Sequence, residues 1–423
     1  MEPYAQLSPA QRRTEYDALM TRYRAYQAQK LSLNMARGKP GRAQLDMVSD
    51  LLTALTDPAD CFDEGTDVRN YGGLLGIPSA RRLFAELLGC KPEQVLVGGN
   101  ASLTLMHDLI CKAYTHGLLH SPRPWCKESS VRFLCPAPGY DRHFAISAAF
   151  GMELIPIAMT PEGPDMDAVE RYIRDPAVKG MWCVPKYSNP QGIVYSDRTV
   201  ERIAALRPAA PDFTLMWDNA YCVHDFYEYV PFRDILSLCR ENCRADMVYE
   251  FASTSKVTFP GAGISAMATS EDNLRYLEKL LGVQVISYDK VNQLRHVRYL
   301  KDKAHTLELM RRHAEILRPK FEVVLKALDA IRPLGIARWE TPRGGYFVSC
   351  DAMPGTAKRV VGLMKDAGVV MTGAGATWPN GHDPEDSNIR IAPSLPPVAE
   401  LHTAMEIFTL CLRIAALEKL GLE

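Results

Sequence analysis

The chain has 423 residues, 47% hydrophobic and 23% charged, which is enough for two or more domains around a large core. A formal net charge of −1 argues for neither a strongly basic nucleic-acid surface nor a polybasic membrane patch. No apolar run approaches the roughly 18 residues of a membrane span, and the opening MEPYAQLSPAQRRTEYDALM lacks the apolar core of a signal peptide.

The eleven cysteines are scattered, with Cys135, Cys183, Cys350 and Cys411 inside apolar runs and no CxxC pair. They read as buried thiols of a protein in a reducing, cytoplasmic compartment. His107, His116 and His120 form no HExxH, so no metal site is expected.

In chain order, residues 8–30 read as a charged amphipathic helix, followed by the irregular loop Asn34-Met35-Ala36-Arg37-Gly38-Lys39-Pro40. A helix is expected over about 44–56, a Gly-rich loop over 61–78, and a helix opened by Ile77-Pro78-Ser79. From residue 93 short apolar strands alternate with helices. Val95–Val97 precedes a helix over 101–118, Val131–Cys135 leads to Pro138-Gly139-Tyr140, and Leu154–Ile157 precedes a helix over 165–174.

Three further strands end in polar groups. Trp182–Val184 leads to Ser188-Asn189-Pro190-Gln191-Gly192, Phe213–Trp217 to Asp218-Asn219-Ala220-Tyr221, and Met247–Phe251 to Ser253-Thr254-Ser255-Lys256. Ser265–Ala268 closes the series, and a helical stretch with room for a bend follows over 288–330. The tail reads as strand Tyr346–Ser349, helix 356–367, strands Val369–Met371 and Ile389–Ile391, and helix 398–415.

The alternation predicts an α/β fold: a mostly parallel sheet flanked by helices, plus a smaller α+β domain from the two ends of the chain. The expected division is 1–45 and 321–423 for the small domain and 46–320 for the large one.

Ligands of open α/β sheets bind outside the carboxyl ends of the strands. That rule gathers Asn100, Tyr140, Asn189, Asp218, Tyr221 and Lys256 at one rim. Singly, each has a bland reading: a solvated lysine, a turn at Asn189-Pro190, a helix cap at Asp218, half-buried aromatics. Arg390 is harder to dismiss, because a charge amid Ile389, Ile391 and Ala392 calls for a partner.

Together the residues offer an amine, a carboxylate, an amide and a phenol. A desolvated lysine can condense with an aldehyde, and pyridoxal phosphate is the cofactor that needs this set. Asp218 would face the ring nitrogen, and Asn189 and Tyr221 the ring oxygen. Ala101, Ser102, Ser253 and Ser255 would cradle the phosphate, at a helix start near 101.

The segment Gly261-Ala262-Gly263-Ile264-Ser265-Ala266 also fits a dinucleotide-binding pattern. Its context argues against that reading: Pro260 precedes it, and a strand-like segment rather than a helix follows.

The ordered motifs resemble the fold type I pyridoxal-phosphate aminotransferases, in a divergent bacterial branch of the class I/II aspartate aminotransferase group. They are Arg69-Asn70-Tyr71-Gly72, Gly98–Ser102, Pro138–Tyr140, Asn189–Gly192, Asp218–Tyr221, Ser253–Lys256, Gly344–Phe347 and Asn388–Ala392. The resemblance implies a homodimer with sites at the subunit interface and catalysis through a Schiff base on Lys256. Tyr140 would stack on the ring, and Tyr71 would reach the phosphate from a partner subunit. Arg390 would clamp the substrate α-carboxylate, which favours transamination between an amino acid and a 2-oxo acid.

L-aspartate with 2-oxoglutarate is the expected pair. A transaminase for 2-aminoadipate, aromatic amino acids or alanine, and a β-lyase, are the alternatives. For a distal carboxylate, Arg37 beside Gly38, Lys39, Lys290 and Arg295 are candidates, with Arg37 and Lys290 ranked first. Many relatives carry an arginine eight residues after the lysine, whereas this chain has Ile264.

Overall fold

The computed structural model describes residues 2–422. At its centre lie eight strands: β1 (Val95–Val97), β2 (Arg132–Ala137), β3 (Glu153–Thr160), β4 (Gly163–Pro164), β5 (Val178–Cys183), β6 (Thr214–Asp218), β7 (Val248–Ser253) and β8 (Ser265–Ala268). Their spatial order is β1-β8-β7-β6-β5-β2-β3-β4. The run from β7 through β6, β5 and β2 to β3 is parallel. β8 is antiparallel to both neighbours, so β1 points the same way as β7. The short edge strand β4 pairs antiparallel with β3.

Successive side chains on these strands alternate between two apolar layers, as a pleated sheet covered on both faces requires. Leu96, Phe133, Cys135, Trp182, Met216, Tyr249, Phe251 and Met267 face one layer. Val95, Val97, Leu134, Met181, Cys183, Leu215, Trp217 and Val248 face the other. Every residue of β1, β5, β6 and β8 is buried, so these strands are mostly apolar, and the one charge inside β5, Lys179, is paired with Asp212.

A second, antiparallel sheet is built late in the chain, in the order β9 (Ala337–Trp339), β10 (Val348–Ala352), β11 (Asn388–Ile391). Leu33–Asn34 pairs in parallel with Val369–Val370, joining the two ends of the sequence. Helix Pro9–Ala28 starts at a capping box: Ser8 Oγ accepts from the Gln11 backbone, and the Gln11 side chain accepts from Ser8 N. Its Leu19 and Tyr23 share one buried cluster with Leu317, Phe408 and Leu412. Along helix Lys303–Ile331 the buried side chains change cluster between Met310 and Ala314.

The structure departs from the sequence expectations at several points. The helix placed over 44–56 is a short helix, Arg42–Met47, and a 3-10 turn, Ser49–Thr53, because Val48 leaves helical geometry to bury its side chain fully. The stretch over 288–330 is two helices, Lys290–Leu300 and Lys303–Ile331. Lys301 turns with a φ of 61°, and the Asp302 side chain caps the new helix by accepting from His305 N. The strand expected at Tyr346–Ser349 starts two residues later, at Val348. Strand β9, the helix Glu271–Gln284 and the small hairpin Phe62–Asp67 were not anticipated.

Candidate active site

The carboxyl ends of β1, β2, β5, β6 and β7 open onto one cavity of about 550 Å³. Its wall includes Ala101, Ser102, Tyr140, Asn189, Asp218, Tyr221, Ser253, Ser255 and Lys256 from the large sheet. Arg37, Gly38 and Lys39 come from the early loop and Arg390 from β11. The sequence-nominated residues that lie elsewhere are Asn100, Tyr71, Lys290 and Arg295.

Lys256 follows β7 after a turn in which Thr254 is pinned: Thr254 N donates to Ile264 O, and Ile264 N donates to Thr254 Oγ1. The lysine amine lies 5.0 Å from the ring centre of Tyr221 and 5.9 Å from that of Tyr346. Burial pushes its pKa below the ordinary 10.5, against the pull of the Asp218 charge. A neutral amine, able to act as base or nucleophile, is what such a setting favours. Behind it, Gln44 Nε2 donates to Tyr346 OH, which in turn donates to the Lys256 carbonyl.

Asp218 ends β6. Its Oδ2 lies 2.9 Å from His143 Nε2, and that imidazole stacks on Trp182 at 4.3 Å and 8°. Oδ1 is buried and has no hydrogen-bond partner among the described residues. A buried carboxylate oxygen left open toward a cavity is a place for a cationic N–H of a ligand. Tyr140 packs edge-on against the same His143, and burial, helped by the Asp218 charge, lifts its phenol to about 12. Burial also raises the Tyr221 phenol well above its usual range, so both remain hydrogen-bond donors at neutral pH.

An anion cradle lies beside the lysine. Helix Ser102–Thr115 begins at Ala101, which has no side chain to cap it, so its first N–H groups stay open to the cavity. Ser253 Oγ donates to Ser255 Oγ at 3.0 Å across from it. Ile264 is not in the cradle; it is buried in the apolar layer around Trp217 and Val257. Arg295 and Arg298 do not line this cavity. Arg295 donates to Asn292 and Arg298 to the Phe62 carbonyl. Gly261–Gly263 leads into strand β8, not into a helix, which removes the dinucleotide reading.

On the opposite wall, Arg390 is 7% exposed and sits 4.9 Å from the Phe347 ring centre. Its Nη1 donates to Asp141 Oδ1 at 2.9 Å and Asn189 Oδ1 at 3.3 Å, and Nη2 donates to Thr372 Oγ1 at 3.3 Å. The loop with Arg37 presses onto the same Phe347: a Cβ on Gly38 would come within 2.5 Å of its ring, so only glycine fits. Arg37, Lys39 and Arg142 stand exposed at the mouth.

Lys290 and Tyr71 lie together away from this cavity. The Lys290 amine donates to the Tyr71 carbonyl at 3.2 Å, while the Tyr71 side chain is 76% exposed. Sequence reasoning missed His143, Asp141, Arg142 and Gln44. Asp141, Arg142 and His143 follow Tyr140 directly on the first turn of helix Asp141–Ala149, so the strand-end rule extended by one helical turn reaches them.

The family profile described as aspartate amino-transferase matches residues 7–422. The chain belongs to the aspartate amino-transferase family. It is an aminotransferase, and its fold is that of the fold type I enzymes. A putative aminotransferase of Mycolicibacterium smegmatis is 47% identical over 411 residues, 96% of each chain. An aspartate aminotransferase of Corynebacterium glutamicum is 45% identical, over 95% of this chain and 94% of that one. The crystal structure of an aspartate transaminase from Corynebacterium glutamicum superposes with a TM-score of 0.96 at 44% identity, covering 99% of both chains. No helix among the described residues is long and apolar enough to cross a membrane, and no group of side chains there could hold a metal ion.

Proposed function

We propose that this aminotransferase moves the amino group of L-aspartate to 2-oxoglutarate, using pyridoxal 5′-phosphate held in the cavity beside Lys256. The observation that carries the reading is the convergence of an open buried carboxylate oxygen, a desolvated lysine and a buried arginine on one cavity. The donor set fits the cofactor. Asp218 Oδ1 suits the protonated ring nitrogen, Asn189 and Tyr221 the ring oxygen, and Tyr140 the ring face. The amides at Ala101 and Ser102, with the Ser253 and Ser255 hydroxyls, suit the phosphate.

When bound, that cofactor supplies an electron sink for negative charge at the substrate α-carbon. The chain's own residues do the rest. Arg390 holds the α-carboxylate and fixes which bond of the α-carbon faces the ring. Lys256, whose pKa burial lowers, takes the proton from the α-carbon and returns it elsewhere. Asp218, itself positioned by His143, keeps a proton on the ring nitrogen. The cations at the mouth favour a second carboxylate on the substrate, with Arg37 the leading candidate from this chain.

The working form in this reading is a cytoplasmic homodimer. The exposed Tyr71, with Lys290 beneath it, supports a loop that reaches the phosphate and substrate side of a partner's cavity. The proposed division into residues 46–320, and 1–45 with 321–423, puts the cavity at the seam of the two units, since Arg37 and Arg390 come from the smaller one. A scan of the common amino acids against the loaded enzyme tests the function. Aspartate and glutamate should bleach the visible absorbance of the bound cofactor, and 2-oxoglutarate should restore it. No change with any amino acid would refute transamination.

A further inference from the structure

Arg390 carries five N–H donors, and their placement is informative. Nη1 has two hydrogens, and both are engaged, one by Asp141 Oδ1 and one by Asn189 Oδ1. Nη2 has one of its two bound to Thr372 Oγ1. Nε is buried and has no partner among the described residues. A two-pronged grip on a carboxylate needs parallel N–H groups from two adjacent nitrogens. A carboxylate that grips Nη1 together with Nη2 meets a full Nη1, so one of its acceptors must leave for that grip to form.

Asn189 is 5% exposed, and by using Oδ1 toward Arg390 it keeps its amide hydrogens for the ring oxygen. Asp141 differs. It is the first residue of helix Asp141–Ala149, its side chain is 32% exposed, and it can turn to solvent. It is also the same chemical group as the expected ligand.

We propose that Asp141 is a resident competitor for the substrate: its carboxylate occupies the α-carboxylate position on Arg390 and is displaced when substrate binds. The proposal rests on the reading of Arg390 as the α-carboxylate site. It adds a specificity element. A ligand with a carboxylate replaces one ion pair with another, whereas a simple amine offers nothing in exchange for Asp141 and meets a closed guanidinium. The same contact keeps the buried Arg390 charge compensated and oriented while the cavity awaits substrate.

Calorimetric titration of the holoenzyme with succinate, an unreactive dicarboxylate, tests this. Asp141→Asn keeps shape but replaces a charge-assisted contact with a neutral one. Succinate should bind it about tenfold more tightly than wild type, and Asp141→Ala should shift the same way. The KM values of amino donor and oxo-acid acceptor should fall by similar factors, as expected for lost ground-state competition. Unchanged or weaker succinate binding in both variants would overturn the proposal. Arg390→Gln separates the two levels. If it loses succinate while Asp141→Asn is unmoved, only the competitor fails; if it binds succinate like wild type, the reading of the site itself fails.

Discussion

His143 Nε2 lies 2.9 Å from Asp218 Oδ2, both side chains are buried, and the other carboxylate oxygen of Asp218 has no partner among the described residues. The imidazole holds one carboxylate oxygen and leaves the other without a protein partner on a residue that lines the cavity. Asp218→Asn keeps the shape and removes the charge. It should cut kcat/KM for aspartate by at least about a hundredfold, in the range seen when one preorganised electrostatic contact is removed. His143→Phe, which can keep the stack on Trp182, should cost less. Steady-state kinetics with far-UV circular dichroism as a folding control decide it; an Asp218→Asn enzyme within a few-fold of wild type would remove Asp218 from the mechanism.

Lys256 makes a stability prediction independent of turnover. Burial lowers its pKa below the ordinary 10.5, so between the lowered value and 10.5 the unfolded chain holds a proton that the folded chain lacks. Stability therefore rises with pH through that window, and below it the penalty of burying the amine is complete. Lys256→Met removes the penalty. The cofactor-free variant should melt above cofactor-free wild type at pH 7, and the gap should close as pH approaches 10.5. Thermal melts of both proteins across pH 7 to 10 measure it; a gap that widens with pH would contradict the assignment.

The exposed Tyr71 predicts complementation between subunits. Lys256→Ala and Tyr71→Ala proteins should each be impaired as homodimers. In a hybrid, one cavity receives both changes and the other receives neither, so co-expression should regain activity. Purified mixed-tag hybrids with no more activity than the better parent would show that Tyr71 does not serve a partner's site.

Arg37 lines this chain's own cavity, beside the Gly38 contact with Phe347. Arg37→Met should raise the KM for aspartate about tenfold or more and that for alanine far less, because only aspartate loses a charge partner. Equal changes for both amino acids would remove Arg37 as the distal-carboxylate residue.

The sheet and much of the cavity wall were legible because buried parallel strands are written as apolar runs and their polar side chains sit just past the ends. Asp218 after Trp217 and Lys256 after Phe251 are of this kind. Contacts across the fold were not legible. Asp141 meets Arg390 across 249 residues and Gln44 meets Tyr346 across 302, and no local pattern encodes either. A bend within 288–330 was legible, but its place at Lys301 was not, because apolar periodicity continues on both sides of it. The role of position 264 was hidden as well, since Ile264 reads as part of the loop beside Lys256 yet packs into the core.

The central claim is that the amino group itself is carried from one acid to the other. L-aspartate labelled with ¹⁵N, incubated with 2-oxoglutarate and the loaded enzyme, tests it by mass spectrometry of the products. The account predicts ¹⁵N-glutamate and unlabelled oxaloacetate in equal amounts. Label appearing as free ammonia, with no labelled glutamate, would contradict it and point to an eliminating enzyme instead.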